Sequence, residues 1–272
     1  SDANYGDFDV YAGDIESWVG VGVMQDEATL RAQVVTGSDN GYALSGAGSQ
    51  ANPYVVSTPE ALAWFANKVN SRNGNRVTNT PGVGVNDPTF EASPTYINNY
   101  NTEAFLPYGY AYVQLGADID LLGTTYGGSV DETPGKTSAE KYANVLDWKP
   151  MNQRVPNFDG RGHTIDHLYI NATAGDVTAR NQGLFSFAEA SDDIPSSIKN
   201  TSIGAESYVH GYDYVGAFAG FAESINFINC SSAAEVSGEK LVGGLAGTSN
   251  YGTFTNCFNA GSITATNGQA GG

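Results

Sequence analysis

Two carboxylates, Asp118 and Asp120, are separated by one residue in a run that alternates acidic and aliphatic side chains. In a β-strand, side chains two residues apart point to the same face, so both carboxylates face the same way. Carboxylate oxygens bind Ca²⁺, and a close carboxylate pair could also serve acid–base chemistry. A strand with a polar outer face gives the same alternation without chemistry. A Ca²⁺ site is therefore one of two interpretations, and we expect no other cofactor.

Aromatic side chains form the second chemical group. An exposed tyrosine or tryptophan combines an apolar ring with a polar tip, which suits it to stacking on sugar rings. The alternative is that these rings fill the interior and the corners of the fold. The residues that we expect to contact a ligand are Tyr96, Tyr100, Tyr108, Tyr110, Trp148, Tyr212, Tyr214 and Tyr251.

The remaining metal-binding and nucleophilic residue types do not cluster. The chain has two cysteines, Cys230 and Cys257, and no C-x-x-C pair, so the sequence does not support a structural zinc site. The three histidines, His163, His167 and His210, show no metal-ligand spacing. We expect both thiols to be structural side chains rather than redox groups.

A glycine-rich motif recurs near the C-terminal end of the sequence, at 182–186, 215–220 and 242–247. Aligning Gly183 with Ala217 and Gly244 gives spacings of 34 and 27 residues. This alignment predicts an inward row of Leu184, Phe218 and Leu245 on successive repeats.

A second motif follows each copy and carries Asn200, Asn229 and Asn256, spaced by 29 and 27 residues. We expect these asparagines to stack as a structural ladder at a corner, with Cys230 and Cys257 stacked beside them. A period near 27 with about three short β runs favours coils that stack and pair along one axis. A propeller fits less well, because each blade needs about 40 residues.

The remaining sequence divides around this repeat. Residues 1–45 alternate apolar and polar positions and indicate a small β segment or the end of a preceding domain. Ser57 and Glu60 form a capping-box pattern that predicts a helix over about 57–70. We expect loop insertions over about 71–110 and 123–144, and repeat coils over about 148–272.

Composition limits the partners. The formal net charge is −17, with 29 acidic and 12 basic residues. Such a chain is repelled by phosphate backbones, so we expect no nucleic-acid partner. No apolar run approaches the roughly 20 residues of a membrane-spanning helix.

The last glycine-rich copy, with Gly243, Gly244, Leu245 and Gly247, resembles the GLUG motif of bacterial surface proteins. The copies at 182–186 and 215–220 depart from the motif, whereas 52–60 and 157–165 resemble other segments of such proteins. The resemblance covers roughly 46–272. It implies an all-β, right-handed parallel β-helix in an extracellular, adhesin-like setting, and it supplies no catalytic residues.

Together these patterns predict a secreted or cell-surface module for adhesion, ligand binding or spacing, whose partner is a host or microbial surface glycan or protein. The alternative is a polysaccharide lyase or a glycoside hydrolase, in which Glu189 and Glu223 on adjacent coils could form a carboxyl pair. One more period of about 27 beyond Gly244 falls at 270–272, so we expect the repeats to continue beyond residue 272.

Overall fold

The computed structural model describes residues 44–46, 48, 50–70, 111–122, 128–145, 147–154, 157–173, 179–190 and 196–272. The expected β segment at 1–45, apart from its last two residues, and the insertion at 71–110 lie outside these ranges. The prediction of a mostly β chain is confirmed, since short strands dominate the described residues. Within them, no helix is long and apolar enough to cross a membrane.

The first half of the described chain contains ten strands and two helices. In chain order the elements are β1 (Tyr54–Val56), α1 (Pro59–Asn70), β2 (Tyr112–Leu115), β3 (Ile119–Asp120), β4 (Gly128–Ser129), α2 (Ser138–Lys141), β5 (Asn144–Val145), β6 (Met151–Arg154), β7 (Asn157–Asp159), β8 (Thr164–Asp166), β9 (Tyr169–Asn171) and β10 (Arg180–Gln182).

The second half of the described chain continues as strands alone. These are β11 (Phe185–Glu189), β12 (Ser196–Lys199), β13 (Ser202–Ile203), β14 (Tyr208–His210), β15 (Asp213–Gly216), β16 (Ala219–Glu223), β17 (Ile225–Ile228), β18 (Ser231–Ser232), β19 (Glu235–Gly238), β20 (Lys240–Gly243), β21 (Ala246–Asn250), β22 (Thr253–Thr255), β23 (Phe258–Asn259), β24 (Ile263–Ala265) and β25 (Ala270–Gly271).

From β6 onward, each strand pairs in parallel with the strand five places later in the chain. We call each run of five strands a winding, so that β6, β11, β16 and β21 each begin one. The strand pairs stack the windings into five parallel sheets. The sequence predicted about three β runs per repeat. The further strands have only two to five residues, too short for a period-2 pattern to show.

Inward-facing side chains form rows across the windings. One row places Val113, Phe158, Ile198, Phe227 and Phe254 on successive strands, and its first four members are at most 1% exposed. A second row has Leu184 and Phe218 fully buried and Leu245 partly buried against the core. Each winding thus covers the apolar side chains of the winding before it. A single winding could not bury these side chains by itself.

Helix α1 buries Leu62, Phe65 and Val69 in the same core as the first strands. The helix begins at Pro59, two residues after the predicted start at about 57. Thr58 rather than Ser57 is its cap, since the Ala61 backbone N–H donates to the Thr58 Oγ1 at 3.1 Å. Glu60 is then the second helical residue, too early for the reach of a capping box.

The interval 123–144, expected as a loop, contains short elements at its described end. Strands β4 and β5 pair antiparallel, and α2 lies between them behind a capping box of Thr137 and Glu140. Tyr142 stacks 6.4 Å from Tyr208, and Ser138 hydrogen-bonds Glu235. This insertion is thereby fixed to the outer side of the windings.

Candidate functional site

The outer side of the sheet β6–β11–β16–β21 carries a row of aromatic side chains. Phe187 on β11 is in register with Phe221 on β16, which is in register with Thr248 on β21. All three side chains are half-buried, whereas the neighbouring Ala188 and Ala222 are buried on the inner side. The two phenylalanine rings stack 5.0 Å apart with only 5° between their planes.

Tyr214 completes this row from the adjacent corner. Its backbone lies in the left-handed region at φ +58°, a conformation that costs a bulky residue on the order of 1 kcal/mol or more. Its ring meets Phe221 edge-on, at 5.8 Å between centroids and 70° between planes. We call Phe187, Tyr214, Phe221 and Thr248 the aromatic face.

A polar row lies two residues further along the same strands, on the same side of the sheet. Its members are Glu223 and Asn250, which are in register. The backbone of Glu189 on β11 is in register with that of Glu223. A carboxylate and an amide beside aromatic rings can hydrogen-bond the hydroxyl groups of a ligand that packs on the rings. Tyr251 follows Asn250 directly and is 89% exposed.

Of the other aromatic residues predicted to contact a ligand, those that the structure describes do not lie on the aromatic face. Trp148 is not a surface contact: its side chain is 2% exposed, and its indole N–H donates to the Leu184 carbonyl at 3.0 Å. Tyr212 is half-buried with the Lys240 ammonium 5.3 Å from its ring centroid. The remaining four predicted tyrosines, Tyr96, Tyr100, Tyr108 and Tyr110, lie outside the described residues.

The two predicted carboxylates each meet a histidine. The Asp118 carboxylate lies 3.1 Å from His163 Nδ1 and accepts from the Thr164 N–H at 2.9 Å. These two hydrogen bonds, the backbone one first, lower the pKa of Asp118. The Asp120 carboxylate lies 2.8 Å from His167 Nδ1.

The strand that was expected over 118–121 is the shorter β3, so Asp118 stands just before it. Among the residues that the structure describes, no three histidine, cysteine or acidic side chains are grouped to hold a metal ion. The histidine partners are 45 and 47 residues away in sequence, and no sequence pattern connected them with the carboxylates.

The glycines of the GLUG-like copy lie where neighbouring atoms leave no room for a β-carbon. A β-carbon on Gly243 would overlap the carbonyl oxygen of Ala246, and one on Gly247 would overlap the backbone of Val215. Gly244 is similarly crowded by the side chain of Asn259. These positions accommodate no larger side chain, which accounts for the glycines in the motif.

Asn200, Asn229 and Asn256 form a hydrogen-bonded ladder. The Asn229 amide N–H donates to the Asn200 Oδ1 at 2.9 Å, and the Asn256 amide N–H donates to the Asn229 Oδ1 at 3.2 Å. All three backbones have positive φ, between +52° and +54°. Asparagine tolerates this conformation better than most residues. The ladder therefore stabilises the turn between two sheets.

The thiols of Cys230 and Cys257 are free and lie on consecutive windings. Cys230 is 1% exposed and donates to the Ile198 carbonyl at 3.3 Å, whereas Cys257 is half-buried. Burial raises the pKa of Cys230 to about 12.

Alkylation should therefore distinguish the two cysteines. At pH 8 a thiol with a pKa near 12 is ionised in only about one molecule in ten thousand, and the thiolate is the reactive form. We expect N-ethylmaleimide to label Cys257 well before Cys230 in the folded protein, as followed by mass spectrometry of the peptides. In denaturant both should react at similar rates. Equal labelling of the folded protein would contradict the burial of Cys230.

No protein-family model matches this chain, and no curated protein matches it. Among solved structures, the chain is similar to a crystal structure of a "putative immunoglobulin A1 protease" from Bacteroides ovatus. The identity is 14% and the TM-score is 0.34, over 83% of this chain and 86% of the other. A likeness at this level carries no information on activity.

Proposed function

We propose that this chain is a right-handed parallel β-helix module of a secreted or surface-attached bacterial protein related to the GLUG-motif proteins, and that its lateral surface binds an extracellular glycan. Five parallel sheets support the fold assignment, and the last two windings are offset by 27 residues. The crowded glycines Gly243, Gly244 and Gly247 support the likeness to the GLUG motif. An elongated stack of windings offers a long lateral surface to a partner.

The aromatic face is the observation that carries the glycan proposal. Phe187 and Phe221 are kept partly exposed on one sheet, and Tyr214 joins them from the adjacent corner. Aromatic rings with polar groups beside them are the usual lining of small-ligand sites. Glu223 and Asn250 supply such groups two residues further along the strands.

Retention on a panel of plant, host and microbial polysaccharides, with and without Ca²⁺, tests this proposal. We expect the chain to be retained on at least one polymer, and Phe221→Ala to lose that retention. Phe258→Ala is the matched control, because Phe258 is a 63% exposed aromatic residue on a different sheet. Equal retention of both variants would place binding elsewhere. Absence of retention on every polymer would favour a protein partner or a spacer role.

A second candidate function rests on the register of Glu189 with Glu223. Paired backbones on neighbouring strands lie about 4.8 Å apart. Retaining glycoside hydrolases hold their two carboxyl groups about 5–5.5 Å apart. If the chain is such an enzyme, incubation with a polymer releases new reducing ends, and Glu223→Gln abolishes this release while retention persists. Retention without new reducing ends identifies a binding module.

A further inference from the structure

The aromatic row changes character at its third position. Phe187 and Phe221 stack in parallel. The next residue in register is Thr248, whose small side chain has no ring, so the aromatic stack ends at Phe221. The face of Phe221 that points away from Phe187 is therefore turned toward the short side chain of Thr248. A flat ring of ligand size placed over Thr248 would continue the stack.

The surroundings of Thr248 repeat those of Phe221 one winding earlier. Tyr214 flanks Phe221, and Leu241, the residue one winding on from Tyr214, occupies the corresponding corner beside Thr248. Leu241 is half-buried and also has a positive φ of +50°. The position over Thr248 thus has an aromatic wall on one side and an aliphatic wall on another.

The polar neighbours limit the charge of the ligand. Asn250 lies two residues beyond Thr248 on the same side of the strand, and the carboxylate of Glu223 is in register with it. A carboxylate accepts hydrogen bonds from sugar hydroxyls but repels a second carboxylate. The net charge of −17 adds to this repulsion of anionic ligands.

We propose that one uncharged sugar ring of the bound glycan packs over Thr248, stacks on the free face of Phe221 and hydrogen-bonds Glu223 and Asn250. This proposal rests on the proposed glycan-binding function and adds to it the position and the class of the sugar. Uronate-rich polymers are predicted to be excluded, and neutral polymers are predicted to bind.

The substitution Thr248→Phe tests the position directly, because it places a protein ring where the sugar is proposed to lie. The new ring should stack on Phe221 as Phe221 stacks on Phe187, so the melting temperature should stay equal or rise. The dissociation constant for a neutral oligosaccharide of the retained polymer should rise about tenfold or more, since a sugar loses its stacking partner. Thr248→Ser is the matched control and should bind as the unmodified chain does.

Titration calorimetry of these variants separates the two proposals. If Thr248→Phe binds as tightly as Thr248→Ser while Phe221→Ala does not bind, the aromatic face binds the glycan but the sugar position over Thr248 is wrong. If no oligosaccharide, neutral or anionic, binds the unmodified chain, both proposals fail. Glu223→Gln tests the predicted exclusion of anionic sugars, and it should improve the affinity for a uronate oligosaccharide several-fold. Preferential uronate binding by the unmodified chain would overturn the assignment of an uncharged sugar.

Discussion

Replacing Phe227 with alanine is expected to lower the free energy of unfolding by about 3–5 kcal/mol, the usual range for a buried phenylalanine. Phe227 is fully buried between Ile198 and Phe254 in the inward row. Its ring stacks 4.7 Å from that of Phe254 and meets Phe218 edge-on at 6.4 Å. The strands on both sides are fixed by parallel pairing, so the windings cannot move together to fill the cavity.

Phe254→Ala is the matched control for this prediction, since Phe254 occupies the same row one winding later and is 46% exposed. The loss of the Phe254 ring should cost only about 1–2 kcal/mol, because folding removes less of its apolar area from water. Guanidinium unfolding followed by circular dichroism measures both values. Equal losses for the two variants would mean that the inward row does not carry the stability of the stack.

The inward rows of the later windings were predictable from the sequence because each winding carries a copy of the same glycine-rich motif. Aligning Gly183, Ala217 and Gly244 identifies Leu184, Phe218 and Leu245, and the structure buries the first two and partly buries the third. The prediction depended on the type of each side chain and its distance from the motif. Both are local properties of the repeat.

The same alignment predicted the aromatic face only in part. Four residues beyond the aligned positions, the same alignment places Phe187, Phe221 and Thr248 in one row, as the strand register does. The signal was therefore present in the sequence, although only Tyr214 was selected. Along a strand, side chains alternate between the inward and the outward side, and only this alternation distinguishes the outward row from the inward ones. Corner residues in the left-handed region interrupt the alternation.

Other contacts could not be predicted, because they join segments that do not repeat. The pairs of Asp118 with His163 and of Asp120 with His167 connect strands β3 and β8 across the insertion at 123–144. The length of this insertion hides the register between the two windings. Trp148 was misassigned for the same reason, since its burial depends on where the chain re-enters the stack after that insertion.

Replacing Asn229 with alanine is expected to lower the free energy of unfolding by about 2 kcal/mol or more, although the side chain lies near the surface. Asn229 is the middle member of the asparagine ladder, so its loss removes two amide hydrogen bonds, to Asn200 and from Asn256. The substitution also places a β-carbon without a compensating hydrogen bond at φ +54°. Each of the two effects contributes roughly half of the expected loss.

Two further variants separate these effects in the same unfolding experiment. Asn229→Gly removes the hydrogen bonds but tolerates positive φ, so it should cost about 1 kcal/mol less than Asn229→Ala. Asn226→Ala, on the strand that ends just before Asn229, removes one hydrogen bond from the Thr253 hydroxyl and should cost at most about 1 kcal/mol. If Asn229→Ala is no more destabilising than Asn226→Ala, the ladder does not stabilise the corner. The repeated asparagines would then require an explanation outside the stability of the fold.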